Sequence, residues 1–344
     1  MNKIIYYIDV LLAHNVSEEF TYKHETIEKP RVGMIVLAPL RSGEKIGVIT
    51  KVNSVLNDSK IKLKFIKEIS PEYRLNSKMI KFLNWVSNYN LIDRGLVLKM
   101  ILSHSKFYFK KKKTKELTSN IKKDVMAIKL SLEQKRTSQD ILKIFQQRNF
   151  KPVLLDGVPG SGKTEVYFDV IKKFIKDGEQ VLIMFPEVSL TGDFVNRIEE
   201  RFGFSPVVWH SKISTAYKTK VLKSIIDGTS QIIIGARSSL FLPYKNLSMI
   251  VLDEEHDSSY KQEEQGIYHA RDMSVVKSSI EDIPIILTSA TPSLETIFNV
   301  MNKKYNKVSI KNKYFNQEEN EIFIVNMKKE KLKKDKWLYE IIIK

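Results

Sequence analysis

Apolar residues follow two rhythms along this chain, and the change comes near Ser131. Upstream, Gly33-Met34-Ile35-Val36-Leu37 and Lys45-Ile46-Gly47-Val48-Ile49 flank a Ser42-Gly43 pair. That pattern predicts two strands joined as a hairpin, inside a small β-rich domain over residues 1–70. Met79, Ile80, Leu83 and Val86, then Leu96, Leu98, Ile101 and Leu102, suit packed helices, so 71–105 reads as a helical connection. The chain then turns basic and irregular around Lys110-Lys111-Lys112-Lys113; 106–130 is read as a linker, with a phosphate-contacting basic arm as the alternative.

Beyond Ser131, short runs of consecutive apolar residues alternate with amphipathic segments. The strands expected are Val153–Leu155, Val181–Phe185, Pro206–Trp209, Gln231–Ile234, Met249–Leu252 and Ile285–Thr288. Runs apolar at every position, separated by helices, predict a parallel sheet covered on both faces. The fold class is therefore α/β, a RecA-like nucleotide-binding lobe over 131–300 behind a small β-rich domain. Residues 301–344 read as a Lys-rich segment ending in the apolar stretch Trp337–Ile343.

With 344 residues and 42% apolar content, the chain is long enough for two or three cores. No run approaches the ~18–20 apolar residues of a membrane span, and Asp9 interrupts the start too early for a signal peptide, so no membrane association and a cytoplasmic location are expected. The chain holds no cysteine, and its six histidines lack metal-ligand spacing, so no zinc site is expected. A net charge of +17 fits a polyanionic partner. The richness in Lys, Asn and Ile equally fits AT-rich codon usage, so charge alone does not choose.

The motifs do. Gly157-Val158-Pro159-Gly160-Ser161-Gly162-Lys163-Thr164 matches G-x-x-x-x-G-K-[ST], with a predicted strand before it and a helix from Glu165 to Lys176 after it. Gly157, Gly160 and Gly162 let backbone N–H groups, with Ser161, turn around phosphates at a helix N-terminus. Lys163 is expected to reach the β and γ phosphates of ATP, and the Thr164 hydroxyl to hold Mg2+. About ninety residues later, Asp253-Glu254-Glu255-His256 follows a buried apolar run, which places acids at a strand's carboxyl end. Asp253 is the candidate magnesium ligand and Glu254 the candidate for orienting and deprotonating water; His256 completes the catalytic set. Thr288-Ser289-Ala290-Thr291-Pro292 follows another strand, where small hydroxyl side chains can bond to the acidic pair. Together these match the first motor lobe of superfamily 2 helicases and translocases.

The text around these boxes is more specific. Gly157–Tyr167, Pro186–Thr191, Trp209-His210-Ser211, Gly235–Pro243 and above all Asp253–Asp272 resemble the PriA family of replication-restart helicases. The resemblance implies a bacterial, nucleoid-associated, ATP-dependent helicase that recognises abandoned forks, moves 3′ to 5′ on single-stranded DNA and works with primosome and replisome proteins. It places Thr191, Arg237 and Ser238 along the strand path. By residue type alone Arg237 fits a phosphate clamp or a structural ion pair. The resemblance makes Ser258–Arg271 an aromatic-rich loop coupling DNA contact to hydrolysis, in which Tyr260, Tyr268 and His269 stack on bases while Lys261 and Arg271 touch backbone. Read without it, those aromatics are packing residues. It also makes Gln134 an adenine contact. Over residues 4–70 it implies a DNA 3′-end-binding domain, carried by Phe20, Tyr22, Gly33, Pro39, Ile46–Val48 and Lys64.

Departures qualify the resemblance. Thr21 stands where the family's pocket has Asp, and Arg41 where it has Gly. The interval 103–130 is too short for the family's winged-helix domain, and the zinc module and second motor lobe would begin about where this chain stops. A monomeric DNA-stimulated ATPase and helicase component is expected, of low turnover alone because the second lobe's arginine is missing. A DNA- and ATP-binding fragment that does not translocate, and another superfamily 2 translocase, are the rival readings.

Overall fold

A computed structural model describes residues 3–41, 43–52, 62–109, 129–147, 151–175, 178–186, 192–264 and 266–312. The N-terminal unit is an antiparallel sheet of β1 (Ile4–Leu12), β2 (Glu19–Thr26), β3 (Met34–Leu40), β4 (Gly43–Val52) and β5 (Glu68–Arg74), in the order β2-β1-β4-β3-β5. The expected hairpin is present, with Leu40 paired to Gly43 across β3 and β4; Ser42 lies outside the described residues. One face of the sheet, with Ile8, Val10, Leu12 and Val36, closes a small core of its own. The other, with Leu11, Ile35, Ile46 and Val48, does not end in solvent.

It packs instead on α1 (Ser77–Asn90) and α2 (Arg94–Ile101), and through them on the larger unit. Asn76 caps α1 by accepting from the Met79 N–H at 2.7 Å, which satisfies one of the unpaired donors at a helix start. Phe82 of α1 meets Phe241 of the lobe at 5.7 Å between ring centroids. The segment 71–105 is thus the packing layer of a shared core and not a spacer. Phe107, Tyr108 and Phe109, expected to lie in the linker, belong to this layer too. Tyr108 is 2% exposed, and its carbonyl accepts from the Ser70 hydroxyl at 2.8 Å. The basic run 110–113 lies outside the described residues.

The larger unit contains α3 (Leu132–Phe145), β6 (Val153–Gly157), α4 (Lys163–Phe174), β7 (Gln180–Met184), α5 (Gly192–Phe202), β8 (Val207–Trp209), α6 (Thr215–Asp227), β9 (Ile232–Gly235) and β10 (Leu247–Leu252). It continues with β11 (Lys261–Gln262), β12 (Tyr268–His269), α7 (Ala270–Glu281), β13 (Ile285–Ser289), α8 (Leu294–Met301) and β14 (Asn306–Ile310). Seven strands form one sheet, β14-β6-β13-β10-β7-β9-β8, parallel throughout. Alternate residues serve opposite faces, as the two-residue strand period requires. Leu182 and Met184 enter the core shared with the N-terminal unit, while Val181 and Ile183 enter the one under α3, α4 and α5.

All six strands expected in this region are present. β14 was not expected. It sits in the segment taken as a Lys-rich tail, and it pairs with β6 from Asn306↔Val153 to Ile310↔Gly157. A boundary at 300 therefore cuts through the sheet. The cause is local: an edge strand that alternates Asn, Lys, Val, Ser and Ile, with only Ile310 buried, is too short and polar for its apolar pattern to stand out. Residues 313–344 lie outside the described residues.

Candidate functional site

The carboxyl ends of β6, β13 and β10 lie side by side, and each carries one of the motifs read from the sequence. β6 runs into the glycine loop, and α4 starts at Lys163. Gly160 and Gly162 hold φ of 77° and 81°, the left-handed region that L side chains avoid. Space is tight as well: a Cβ at Gly162 would lie 2.2 Å from Gln134 Nε2, and one at Gly157 would lie 2.8 Å from Ser161 Oγ. The glycines are thus needed for both torsion and close approach.

Gln134 explains one of those contacts. Ser131 and Gln134 form a reciprocal capping box at the start of α3, with Gln134 Oε1 accepting from Ser131 N at 2.9 Å. Its Nε2 donates to the Ser161 carbonyl at 3.0 Å. The side chain is almost fully buried against the glycine loop and braces it, and Gln134 is also among the residues that line the cleft. Lys163 Nζ donates to the Gly157 carbonyl at 2.8 Å. The Ser161 hydroxyl, also buried, has no hydrogen-bond partner among the described residues.

β10 delivers the acids. The Asp253 N–H donates to Met184 O at 2.9 Å, continuing the sheet pairing by one residue. Its carboxylate accepts from Thr288 Oγ1 at 2.7 Å, from Tyr167 OH at 3.0 Å and from the Glu254 N–H at 3.0 Å. Burial raises its pKa against the pull of those donors and of Lys163. Glu254 turns the chain with φ of 46°, a strained value for a non-glycine residue. Partial burial and then the Asp253 charge raise its pKa, while Lys163 and His256 oppose the rise. His256 Nδ1 lies 2.7 Å from Ser289 Oγ and 3.6 Å from Glu254 Oε2. Glycine loop, Lys163, Thr164, Asp253, Glu254 and Ala290 line one cleft of about 590 Å3. Arg197 stands at its side, ion-paired to Glu165 at 2.8 Å.

Two participants were not found by sequence reasoning. Tyr167, in α4 one turn after Lys163, is completely buried and holds Asp253. Glu255 was read only as part of the box; it is also buried, and its carboxylate accepts from Ser293 N at 2.7 Å, Ser293 Oγ at 3.0 Å, Thr296 Oγ1 at 2.9 Å and Arg271 at 3.3 Å. Strand alternation carried beyond β10 would put Glu255 on the same face as Asp253; the left-handed turn at Glu254 breaks that register, and no local pattern in the sequence marks it.

The DNA-facing expectations fare differently. Tyr260 is 1% exposed, and its hydroxyl donates to the carbonyls of Asp253 at 2.6 Å and Met184 at 3.0 Å. Tyr268 packs edge-on against Phe241 and is 4% exposed. Neither ring presents a face for stacking in this arrangement, so the packing reading describes them. Arg271 corrects the expectation of a backbone contact: it is buried among Glu255, Asp272 and Ser293, with its Nη2 3.6 Å from Glu295. Arg237 donates to the carbonyls of Ser259 and Lys261, both at 2.9 Å, and so grips the segment that carries Tyr260. Ser238, Lys261 and Lys64 are exposed, and His269 is half-buried. Thr191 lies outside the described residues, as does most of Pro186–Thr191.

Two family models match the chain: DEAD/DEAH box helicase over residues 132–300, and 3'DNA-binding domain (3'BD) over residues 9–103. Replication restart protein PriA of Rickettsia felis is 39% identical over 313 residues, covering 91% of this chain and 47% of that protein. The proteins of the same description from Bacillus subtilis and Haemophilus influenzae are 38% and 42% identical over 201 and 183 residues, covering 58% and 53% of this chain and 25% of each of theirs.

This chain belongs to the PriA family.

It spans about half the length of the Rickettsia PriA relatives. The 3'DNA-binding domain match runs through both helices of the shared core, which agrees with α1 and α2 folding onto the small sheet. The helicase match coincides with the lobe from α3 to the last turn of α8.

Proposed function

We propose that this chain is the DNA-binding front and the ATP-binding motor lobe of a PriA-type replication-restart helicase. The observation that carries the reading is the convergence of Lys163, Asp253 and Glu254 on one cleft, at the carboxyl edge of neighbouring parallel strands. The residues fit a nucleotide with its metal. An unpartnered Ser161 hydroxyl and a glycine loop that has no room for side chains suit phosphate oxygens, and a buried carboxylate held by neutral donors suits a divalent cation. Thr164 and Asp253 would hold Mg2+, which when bound neutralises phosphate charge.

The chain's own groups divide the remaining work. Lys163 exchanges its Gly157 carbonyl for the β and γ phosphates. Glu254, at the cleft wall with a raised pKa, orients water and accepts its proton, and His256 links that position to Ser289. Gln134 keeps the loop closed from below. DNA enters the reading through the family: exposed Lys64, Ser238 and Lys261 are the contacts that the arrangement leaves accessible. Unwinding 3′ to 5′ and work with primosome proteins at stalled forks, in the bacterial cytoplasm, are proposed for a protein of the relatives' full length. Among the described residues no helix is long and apolar enough to cross a membrane.

Titration with a fluorescent ATP analogue and Mg2+ tests the cleft. Lys163→Ala is expected to weaken binding at least about tenfold, since it removes a charge-assisted contact worth ~1.5–3 kcal/mol. Glu254→Gln is expected to bind as the wild type and to lose DNA-stimulated hydrolysis in an enzyme of full length. Equal affinity of the wild type and Lys163→Ala would remove the cleft from the reading.

A further inference from the structure

The core under α3, α4 and α5 is built from apolar side chains, and among its described residues Tyr167 alone carries a hydroxyl. The ring is fully buried and meets Phe168 edge-on, with centroids 5.2 Å apart. Phenylalanine would fill the same space, and a buried hydroxyl costs free energy unless it is bonded. Packing therefore accounts for the ring and leaves the oxygen to be explained.

What that oxygen touches is specific. It donates to Asp253 Oδ2 at 3.0 Å, and it accepts from the side chain of Thr164, three residues back on the same face of α4. Thr164 and Asp253 are the two residues placed above to hold Mg2+. The two oxygens of Asp253 are not equivalent either. Oδ1 accepts from Thr288 Oγ1 at 2.7 Å and from Glu254 N at 3.0 Å, which uses both of its lone pairs. Oδ2 accepts from Tyr167 alone among the described residues and keeps one lone pair. The carboxylate oxygen with capacity left for a cation is thus the one whose direction Tyr167 sets. Tyr167 is not among the residues lining the cleft, so it acts through its two neighbours.

We propose that Tyr167 is the positioning residue of the metal site, its hydroxyl fixing Asp253 Oδ2 against the Thr164 side chain, with Oδ2 as the carboxylate atom that takes the divalent cation. The proposal rests on the nucleotide-binding reading above and deepens it by naming the atom and the group that aims it. A neutral hydroxyl suits the task. It directs the carboxylate without bringing a positive charge of its own, as Lys or Arg in that place would.

The test is titration of the whole chain with Mg2+ at a fixed concentration of the fluorescent ATP analogue, beside titration with the analogue in EDTA. Wild type, Tyr167→Phe and Thr288→Val are compared. Tyr167→Phe is expected to raise the Mg2+ midpoint about tenfold and to leave affinity in EDTA within about twofold of the wild type, as for a lost group that orients a metal ligand. Thr288→Val takes one donor from Oδ1 while Glu254 N and Tyr167 remain, and is expected to move the midpoint about threefold at most. A Tyr167 that served packing alone would weaken binding in EDTA and in Mg2+ by the same factor, and that result would overturn the proposal, as would an unchanged midpoint. Should Tyr167→Phe not fold, Thr288→Val decides: a midpoint raised about tenfold there would put the metal-holding oxygen at Oδ1 and overturn the assignment, whereas one near the wild type's upholds it. A wild type whose analogue binding is the same with and without Mg2+ would overturn the nucleotide reading itself rather than the part given to Tyr167.

Discussion

The nucleotide cleft and the buried cluster around Arg271 grow from adjacent residues of one strand end, yet they treat charge in opposite ways. In the cleft, Asp253 has three neutral donors, Lys163 is held by a single backbone carbonyl, and Glu254 has only a loose contact to His256. In the cluster, Glu255 is fully buried and collects four hydrogen bonds, one of them from Arg271, which itself meets three carboxylates. A charge left short of partners is available to a ligand; a charge saturated inside the protein holds elements together. Here the saturated set ties the end of β10 to the start of α7 and to the cap of α8.

Substitution should separate the two regions most sharply at Glu255 and Asp253. Glu255→Ala leaves Arg271 buried with one partner fewer, and leaves Ser293 N and Thr296 Oγ1 without their acceptor. Removing one side of a buried ion pair typically costs ~3–5 kcal/mol. With Asp272 and Glu295 still beside Arg271, about 3 kcal/mol is expected from urea denaturation. Asp253→Asn keeps the shape, retains an acceptor for Thr288 and removes a carboxylate whose pKa burial has raised. Its stability is expected to stay within about 1 kcal/mol of the wild type, while Mg2+-dependent nucleotide binding is lost. A loss at Asp253→Asn as large as at Glu255→Ala would erase the distinction.

Lys277 offers an intermediate case, a lone buried cation with partial compensation. Its Nζ donates to Leu240 O at 2.7 Å and lies 5.1 Å and 5.2 Å from the ring centres of Phe82 and Tyr244, and Glu281 on its own helix is the nearby acid. Burial nevertheless brings its pKa down to about 8 from an ordinary 10.5. Between those two values the unfolded chain binds the proton and the folded one does not, so stability from this residue rises with pH across that window. The full penalty is present below about pH 8 and gone above the ordinary lysine value, a span worth about 3 kcal/mol. Lys277→Met should lack that rise when denaturation midpoints are compared at pH 8 and pH 10.5. Parallel curves for wild type and variant would show that the ammonium is already well compensated, like Arg271.

The same contrast governs what could be read from the residues. The glycine loop was legible because its chemistry is carried by backbone, and backbone torsions leave their mark as glycine at fixed spacing. The six lobe strands were legible because burial on both faces writes a continuous apolar run. Tyr260, Tyr268 and Arg271 were misjudged because a letter such as Tyr or Arg says what a side chain can do and not which way its element faces. Their burial follows from partners distant in the chain, Asp253 and Met184 for Tyr260, Phe241 for Tyr268, and Glu255 and Ser293 for Arg271, which no local pattern records. Gln134 shows a subtler case: its capping-box position was visible as Ser131-x-x-Gln134, but the loop it supports lies far along the chain.

The smallest expected effect concerns backbone rather than charge. Glu254 and Arg41 both hold left-handed torsions, with φ of 46° and 53°, but only Glu254 lies in the cleft. For Glu254 the strain is tied to a carboxylate that the site needs. Arg41, exposed at the turn between β3 and β4, occupies a position where the family's glycine would carry no such cost. The left-handed conformation costs an ordinary residue roughly 1–2 kcal/mol, and glycine gives back part of that through its greater freedom when unfolded. Arg41→Gly should therefore raise stability by about 0.5 kcal/mol and leave nucleotide binding unchanged, as read by thermal denaturation and by titration with the ATP analogue. Glu254→Gly should relieve a similar torsion yet abolish hydrolysis, so that strain relief alone is measured at one site and set against a lost functional group at the other. A destabilised Arg41→Gly would mean that the arginine side chain holds the turn, and the torsion at Glu254 would then lose its matched control.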